Sequence, residues 1–167
     1  MNFLLRFLFL IFLVGVSFST RAEVYTGTVT RVADGDTVTV LVKNGDKIKI
    51  RLVGIDAPEK DQPHGLVSKS YLEETIQGKQ INARCEKKDR YKRWLCKIFF
   101  DGADMNLRQL ELGNAWWYRV YAKDQSIGDR EVYAEAESKA RNDKLGLWAG
   151  ASPVPPWDWR LQQKKRK

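Results

Sequence analysis

The chain has 167 residues, with 29 lysines and arginines against 21 aspartates and glutamates, so its formal net charge is +8 at neutral pH. This length fits one domain with its own core, and we find no internal repeat, low-complexity segment or second domain in it. A basic chain suits an anionic partner such as nucleic acid, but equally a cell surface or plain solubility. Charge alone does not choose among these functions.

The first 22 residues have the pattern of a signal peptide. A short start with one arginine precedes the apolar run Phe7–Phe18, and Thr20–Ala22 resembles a small-residue cleavage site. The alternative is an uncleaved anchor, although the run is shorter than the ~20 residues that a spanning helix needs. Cleavage after Ala22 would remove two arginines and lower the formal charge from +8 to +6. We expect a secreted or periplasmic protein with no stable membrane association after cleavage.

Three β-strands are predicted before the first helix. The runs Glu23–Val32, Thr37–Val42 and Lys47–Val53 alternate in polarity and are rich in β-branched residues, as half-buried strands are. An Asn-Gly pair between the last two runs is the strongest short hairpin signal. In the third run the isoleucines and the leucine share one face, so Arg51 belongs to the opposite face, toward solvent or a site.

Helical periodicity appears in three later segments: Gly65–Ile76, Met105–Leu112 and Asp129–Lys144. Asp129 is the predicted N-cap of the third helix. The buried face of the first helix is predicted to carry Val67, Tyr71, Leu72 and Ile76. Ala115–Tyr121 is predicted to be a short, aromatic-rich extended segment.

The C-terminal region is predicted to be extended. The prolines of Pro153–Pro156 argue against a regular helix, so Trp157–Arg160 is expected to form a strap packed by its tryptophans. We place one domain at residues 23–160 and a solvated basic tail at residues 161–167.

The two cysteines lie on a second predicted hairpin, formed by Gln80–Cys85 and Arg93–Phe100 with a charged connection. A turn centred in that connection places Cys85 opposite Cys96, and opposed residues lie about 4.5 to 5.5 Å apart, within the range of a disulfide. Export to an oxidising compartment favours the bridge. The alternatives are two free buried thiols or a metal pair, although no neighbouring histidine supports zinc.

Acidic side chains gather beside the first hairpin, which is rare without a cation or a reaction. Asp36 follows the first strand, and Pro58 ends the third, which puts Asp56 and Glu59 on a turn. Oxygen ligands of this kind suit a hard cation such as Ca²⁺, with water completing the shell. The alternative is that Asp34 and Asp36 cap a turn while Glu59 faces water.

Arg51 and Arg93 lie at strand ends, and a planar guanidinium can bind two phosphate oxygens at once. Two such arginines beside a cation would form a phosphate clamp; the alternative is ordinary surface arginines. Aromatic residues among basic ones, such as Tyr91 and Tyr121, suit stacking on the bases of a single strand, although aromatics more often belong to a core.

Four blocks of sequence, in order, resemble the signatures of the staphylococcal nuclease (thermonuclease) family. They are Asp34–Thr37, Arg51–Glu59, Asp89–Arg93 and Lys144–Trp148. The resemblance extends over about Val24 to Trp159 and is of the secreted or periplasmic bacterial type. It implies an α+β fold, a five-stranded OB-type barrel with about three helices.

The same resemblance implies a metal site. Asp36 and Asp56 match the Ca²⁺ carboxylates of the family. Ala57 stands where the best-known member has a threonine whose backbone carbonyl binds the metal, so alanine should suffice. Glu59 matches the carboxylate that orients or deprotonates the attacking water.

Substrate-binding residues are implied as well. Arg51 and Arg93 match the two phosphate-binding arginines, and Tyr121 matches one of the two tyrosines that stack on substrate. We assign Tyr91 to substrate binding as an aromatic residue among basic ones. We also assign Arg90, beside Tyr91, to substrate binding. The chain departs from the family at two positions: Lys92 replaces a glycine, and Arg119 replaces one of two stacking tyrosines.

We therefore expect a Ca²⁺-dependent endonuclease, monomeric by default, that hydrolyses phosphodiester bonds in DNA and RNA. The alternative is a non-catalytic OB-fold module that binds nucleic acid through its basic face. A third class is an export-anchored structural protein in which the metal only stabilises the barrel. The enzyme is favoured because a pure binder has no use for Glu59 beside the other carboxylates and both arginines.

Overall fold

The computed structural model describes residues 22–166. The predicted signal peptide, residues 1–22, lies outside the described residues except for Ala22. Within the described range, every helix is too short or too polar to cross a membrane.

Three antiparallel strands begin the fold: β1 (Glu23–Asp34), β2 (Thr37–Val42) and β3 (Lys47–Leu52). The predicted Asn-Gly turn joins β2 to β3, and Gly45 there has a φ of 88°, which favours glycine. Val38 pairs with Ile50, and both side chains are fully buried. Because side chains alternate along a strand, Arg51 points away from this core, as predicted.

Further strands follow the first three. They are β4 (Ile55–Asp56), β5 (Gln80–Lys88), β6 (Trp94–Phe100), β7 (Ala103–Asp104) and β8 (Trp116–Trp117). β5 pairs with β1 and with β6, both antiparallel, and β6 pairs in parallel with β3. The five long strands thus close into a mixed barrel around aliphatic side chains, which confirms the predicted α+β, OB-type fold.

The predicted disulfide is present. Cys85 of β5 faces Cys96 of β6, their Cα atoms are 4.1 Å apart, and both side chains are fully buried. The bridge therefore joins two neighbouring strands of the barrel wall, close to the turn that carries Arg93.

Three helices follow the predicted segments closely: α1 (Gly65–Ile76), α2 (Met105–Glu111) and α3 (Ile127–Asn142). The buried stripe of α1 runs through Ser68, Leu72 and Ile76 at a spacing of four residues. The placement of Val67 on that stripe was wrong, since its side chain is 54% exposed. A polar residue, Ser68, takes the buried position because its hydroxyl and carbonyl accept hydrogen bonds from Gln109.

The start of α3 also differs from the prediction. Ser126 is the N-cap, and its hydroxyl accepts the backbone N–H of Asp129 at 3.1 Å. Asp129 lies inside the first turn, where a carboxylate still complements the helix dipole. Serine and aspartate both suit the cap, and the helix begins at the earlier of the two.

A fourth helix, α4 (Pro156–Lys165), replaces the predicted C-terminal strap. That prediction was wrong because Pro156 occupies the first helical position, where a proline loses no hydrogen bond and its ring presets φ. Residues 161–165 belong to this helix and are mostly exposed to solvent. The expected tryptophan packing is present, since the ring of Trp157 stacks on Tyr118 at 5.5 Å between centroids.

Candidate active site

The turn between β1 and β2 presents Asp36 to the site. The Asp34 carboxylate accepts the N–H of Asp36 at 3.1 Å, which fixes the turn. Gly35 is required by close packing, because a Cβ atom there would lie 1.9 Å from the Ser68 hydroxyl of α1. The Asp36 carboxylate accepts the Thr37 hydroxyl at 3.1 Å and the N–H of Ala57 at 2.7 Å. Asp36 thus links the first turn to the chain after β4.

Arg51 joins the two predicted metal carboxylates. One guanidinium nitrogen lies 2.9 Å from Asp36 Oδ2, and another donates to Asp56 Oδ1 at 2.8 Å. The first nitrogen also donates to the carbonyl of Leu52 at 3.0 Å. Both aspartates are almost completely buried. The three side chains therefore form one desolvated cluster at the end of β3.

Burial sets the charge balance of this cluster. Desolvation raises the pKa of Asp36 well above its ordinary value, and the positive charge of Arg51 offsets this only in part. Burial lowers the pKa of Arg51, but the charges of Asp36 and Asp56 outweigh it and raise the pKa overall. The guanidinium stays protonated, while the buried carboxylates would be stabilised by further positive charge.

Glu59 lies on the loop after β4. β4 pairs with β8 and holds Asp56 opposite Trp116. The backbone N–H of Glu59 donates to the side-chain carbonyl of Gln62 at 3.1 Å, and its own side chain remains 38% exposed. The structure therefore places a solvent-accessible carboxylate on the loop that follows the buried Asp56.

Arg160 of α4 also enters the site, and sequence reasoning missed it. Its guanidinium donates to Asp56 Oδ2 at 2.7 Å and to Glu59 Oε1 at 2.8 Å. Burial lowers the pKa of Arg160, but hydrogen bonds and charges from the two carboxylates outweigh it and raise the pKa overall. The available signal was a proline suited to the first helical position followed by an arginine one turn later.

The turn between β5 and β6 carries Arg93 apart from this cluster. The Arg93 Nε donates to Asp89 Oδ2 at 2.8 Å, and another guanidinium nitrogen lies 2.7 Å from the same oxygen. Tyr91 is 63% exposed, and the guanidinium groups of Arg90 and Arg93 lie against its ring. Leu95, two residues after Arg93, pairs with Arg51 across the sheet. The structure thus brings Arg93 to the neighbouring strand end but pairs it with Asp89.

Tyr121 and Arg119 follow β8 in a short 3-10 segment. Tyr121 is about half exposed and packs against Tyr118, with 5.0 Å between ring centroids. Arg119 donates to the buried Glu137 carboxylate at 2.6 Å. Glu137 also accepts the N–H of Trp117 at 3.0 Å. Glu137 of α3 therefore binds both β8, through Trp117, and the 3-10 segment, through Arg119, while Tyr121 remains half exposed.

The predicted cation would be bound by oxygen atoms. Among residues 22–166, no three His, Cys, Asp or Glu side chains converge as metal ligands. The predicted set needs only two carboxylates, Asp36 and Asp56, with the carbonyl of Ala57 and water. These are oxygen donors at a buried place that favours added positive charge, which fits a hard cation.

This barrel, with an arginine between two aspartates at a strand end, is that of a staphylococcal nuclease homologue. The profile of the family described as "Staphylococcal nuclease homologue" matches residues 49–150, and the chain belongs to that family. The matched range contains Arg51, Asp56, Glu59 and Arg93. The resemblance predicted from the four sequence blocks is confirmed.

Several bacterial proteins are similar to this chain. A Haemophilus influenzae protein named "Uncharacterized endonuclease" is 38% identical over 161 residues, which cover 96% of this chain and 86% of that protein. An Escherichia coli O157:H7 protein of the same name is 39% identical over 135 residues, covering 80% and 84%. The "Micrococcal nuclease" of Shigella flexneri is 34% identical over 149 residues, covering 84% and 83%.

Proposed function

We propose that the protein is a Ca²⁺-dependent endonuclease that hydrolyses phosphodiester bonds in DNA and RNA. The observation that carries this proposal is the buried Asp36–Arg51–Asp56 cluster, with the accessible carboxylate of Glu59 beside it. Family membership and the nuclease names of its relatives support the reaction class. The disulfide supports action in an oxidising, extracytoplasmic compartment.

Asp36, Asp56 and the carbonyl of Ala57 would hold the cation. When bound, Ca²⁺ would supply Lewis-acid polarisation of a phosphoryl oxygen. Glu59 is exposed enough to meet a water molecule and, as a carboxylate, can orient it and accept its proton as it attacks phosphorus. The proton thus leaves the nucleophile as its bond to phosphorus forms, while the P–O bond to the leaving nucleotide breaks and the departing oxygen takes a proton from solvent.

The arginines would stabilise charge on the phosphate. A guanidinium with a fixed orientation favours the transition state because its donors need no reorganisation as charge builds. Arg51 is held by two carboxylates and a carbonyl, which fixes its plane. Arg93 would approach from the second hairpin. The aromatic rings of Tyr91 and Tyr121, with Arg90, would bind the flanking nucleotides.

Digestion of defined DNA and RNA strands, single and duplex, with Ca²⁺, Mg²⁺ or a chelator tests this proposal. We expect cleavage with Ca²⁺, loss of cleavage with chelator and recovery when Ca²⁺ is returned. The Glu59→Gln variant keeps the size of the side chain and removes its basicity, so it should bind the same strands and cleave them at least about 100-fold more slowly.

Two outcomes would count against the proposal. Cleavage that persists in excess chelator removes the metal-dependent mechanism. If fluorescence anisotropy showed that the protein binds the strands but no cleavage occurred, the protein would instead be a non-catalytic OB-fold module.

A further inference from the structure

The C-terminal helix α4 docks beside the active site through contacts that do not involve Arg160. Trp157 stacks on Tyr118, and its ring lies 5.7 Å from that of Trp116 on β8. Gln62 binds the N–H of Glu59 with its oxygen and the carbonyl of Val154 with its nitrogen, at 3.1 and 2.6 Å. The Glu59 loop and the segment before α4 are therefore tied together on one side of Arg160.

Arg160 is bound to two carboxylates with different proposed roles. One nitrogen lies 2.7 Å from Asp56 Oδ2, and the other lies 2.8 Å from Glu59 Oε1 and 3.3 Å from Asp56 Oδ1. Arg51 holds Asp56 Oδ1 from the opposite side at 2.8 Å. Both oxygens of Asp56 are thus fixed by arginines from two distant parts of the chain, which determines the plane of the carboxylate.

The orientation of the Glu59 side chain depends on Arg160 more than the orientation of the Asp56 side chain does. Among residues 22–166, the hydrogen bonds of the Glu59 side chain are made with Arg160 alone. A glutamate side chain has three rotatable bonds, and this one is 38% exposed, so without a partner it would sample several rotamers. The cation also offsets the repulsion between the neighbouring Asp56 and Glu59 carboxylates.

This contact is not an ordinary surface ion pair. Exposed pairs are weak because water and salt screen both charges. Here the Asp56 side chain is only 2% exposed, so Arg160 supplies positive charge to a desolvated carboxylate. Losing Arg160 would leave Asp56 Oδ2 without its cation in a dry environment, while Arg51 would still bind Oδ1.

We infer that Arg160 is a positioning residue of the active site, which holds Asp56 and Glu59 in the orientation that hydrolysis requires. The inference rests on the proposed function. It extends the site from the barrel to α4, so the C-terminal helix is the support of an active-site group and not only a cover for the tryptophan cluster.

Steady-state cleavage of a fluorescent single-stranded DNA oligonucleotide tests the inference in the Arg160→Ala and Arg160→Lys variants. Arg166→Ala is the matched control, since it removes the same charge from an exposed position just after α4. We expect Arg160→Ala to lower kcat about 10- to 100-fold, as for other residues that orient metal ligands, with KM changed less than about threefold. The lysine variant should recover part of the loss, and the control should keep its kcat.

A double-mutant cycle with Glu59→Gln separates positioning from general stabilisation. If Arg160 acts through Glu59, Arg160→Ala should cost far less kcat in the Glu59→Gln background than in the wild type. The two substitutions should also shift the midpoint of urea unfolding by less together than the sum of their separate shifts. That second measurement needs no nuclease activity.

Each remaining outcome overturns the inference. An unchanged kcat with a lower urea midpoint would make Arg160 a stabilising residue only. A higher kcat would show that it blocks the site. If the effects of Arg160→Ala and Glu59→Gln were additive both in kcat and in the urea midpoint, Arg160 would not act through its contact with Glu59. A wild type that cleaves nothing overturns the proposed function and this inference together, whereas the other outcomes leave the proposed function standing.

Discussion

Asp36, Arg51 and Asp56 are buried and bound to one another, whereas Arg93 and Tyr91 lie on a turn at the surface, where Arg93 binds Asp89. The buried group is surrounded by backbone donors and barrel strands. In the surface group the Arg93 guanidinium binds Asp89 and lies against the exposed ring of Tyr91. A ligand can rearrange the second group at small cost, but it cannot move the first without disturbing the core.

The buried group and the surface group would therefore have different roles in the site. The buried group is preorganised and would act on the atoms whose charge changes during hydrolysis. The surface group would adapt to the shape of the strand, since exposed side chains change rotamer quickly. Substitutions in the first group should therefore change stability and activity together, and those in the second should change activity alone.

Arg51→Lys should have the largest effect, because it tests the buried group directly. A lysine ammonium cannot span Asp36, Asp56 and the Leu52 carbonyl with one planar fork. We expect kcat to fall about 10²- to 10³-fold in the oligonucleotide assay, as for loss of a preorganised donor. The urea midpoint should fall as well.

The same swap at an exposed site, Arg31→Lys on β1, is the control and should leave both quantities unchanged. A kcat for Arg51→Lys close to that of the wild type would mean that charge, rather than guanidinium geometry, is what the buried group contributes.

The Cys85–Cys96 bridge joins β5 to β6 near the surface group, and its contribution to stability can be measured. Replacing both cysteines with alanine removes a disulfide between two residues that are 11 positions apart in the sequence. We expect a loss of about 2 to 3 kcal/mol in the free energy of unfolding measured with urea. Since the bridge lies in the barrel wall, the loss should appear in the same cooperative transition as the rest of the fold.

Reduced wild type is the matched comparison for the bridge, because it keeps the sulfur atoms but not the bond. Equal stability of the oxidised and reduced proteins would show that the bridge does not restrain the unfolded chain.

Much of the buried group could be predicted from the sequence because its determinants are local. Strand alternation puts Arg51 on the face away from the core, and the turn at Asp34 and Gly35 presents Asp36. The cysteine pairing likewise follows from the length of one hairpin. Hairpins predicted from such short-range patterns are present in the structure, since the barrel is built from these hairpins.

Arg160 could not be predicted in the same way. Its contact with Asp56 joins residues 104 positions apart, and no periodicity relates them. A proline breaks a helix when it lies in the interior, but Pro156 occupies the first helical position, where a proline is favoured. The pairing of Arg93 with Asp89 is local, but whether an arginine faces a carboxylate or the solvent depends on the turn geometry.

Asp89→Asn should have the smallest effect, and it isolates the ion pair of the surface group. The asparagine oxygen can still accept the N–H groups of Tyr91 and Arg93, which the Asp89 carboxylate accepts at 2.9 Å each, so the turn should persist. The amide nitrogen then replaces the oxygen that binds Arg93, so the ion pair and the hydrogen bond that order its guanidinium are both lost. Ordering one long side chain costs about 0.5 to 1.5 kcal/mol, so kcat/KM should fall about two- to tenfold.

The free energy of unfolding of Asp89→Asn should stay within about 0.5 kcal/mol of the wild type, because the ion pair is near the surface. Asp101→Asn, at an exposed turn elsewhere in the barrel, is the control and should change neither quantity. A rise in kcat/KM would show the opposite arrangement, in which Asp89 competes with phosphate for Arg93. In that case the ion pair with Asp89 would hold Arg93 away from the phosphate. The ion pair would have to break before Arg93 could bind the nucleic-acid strand.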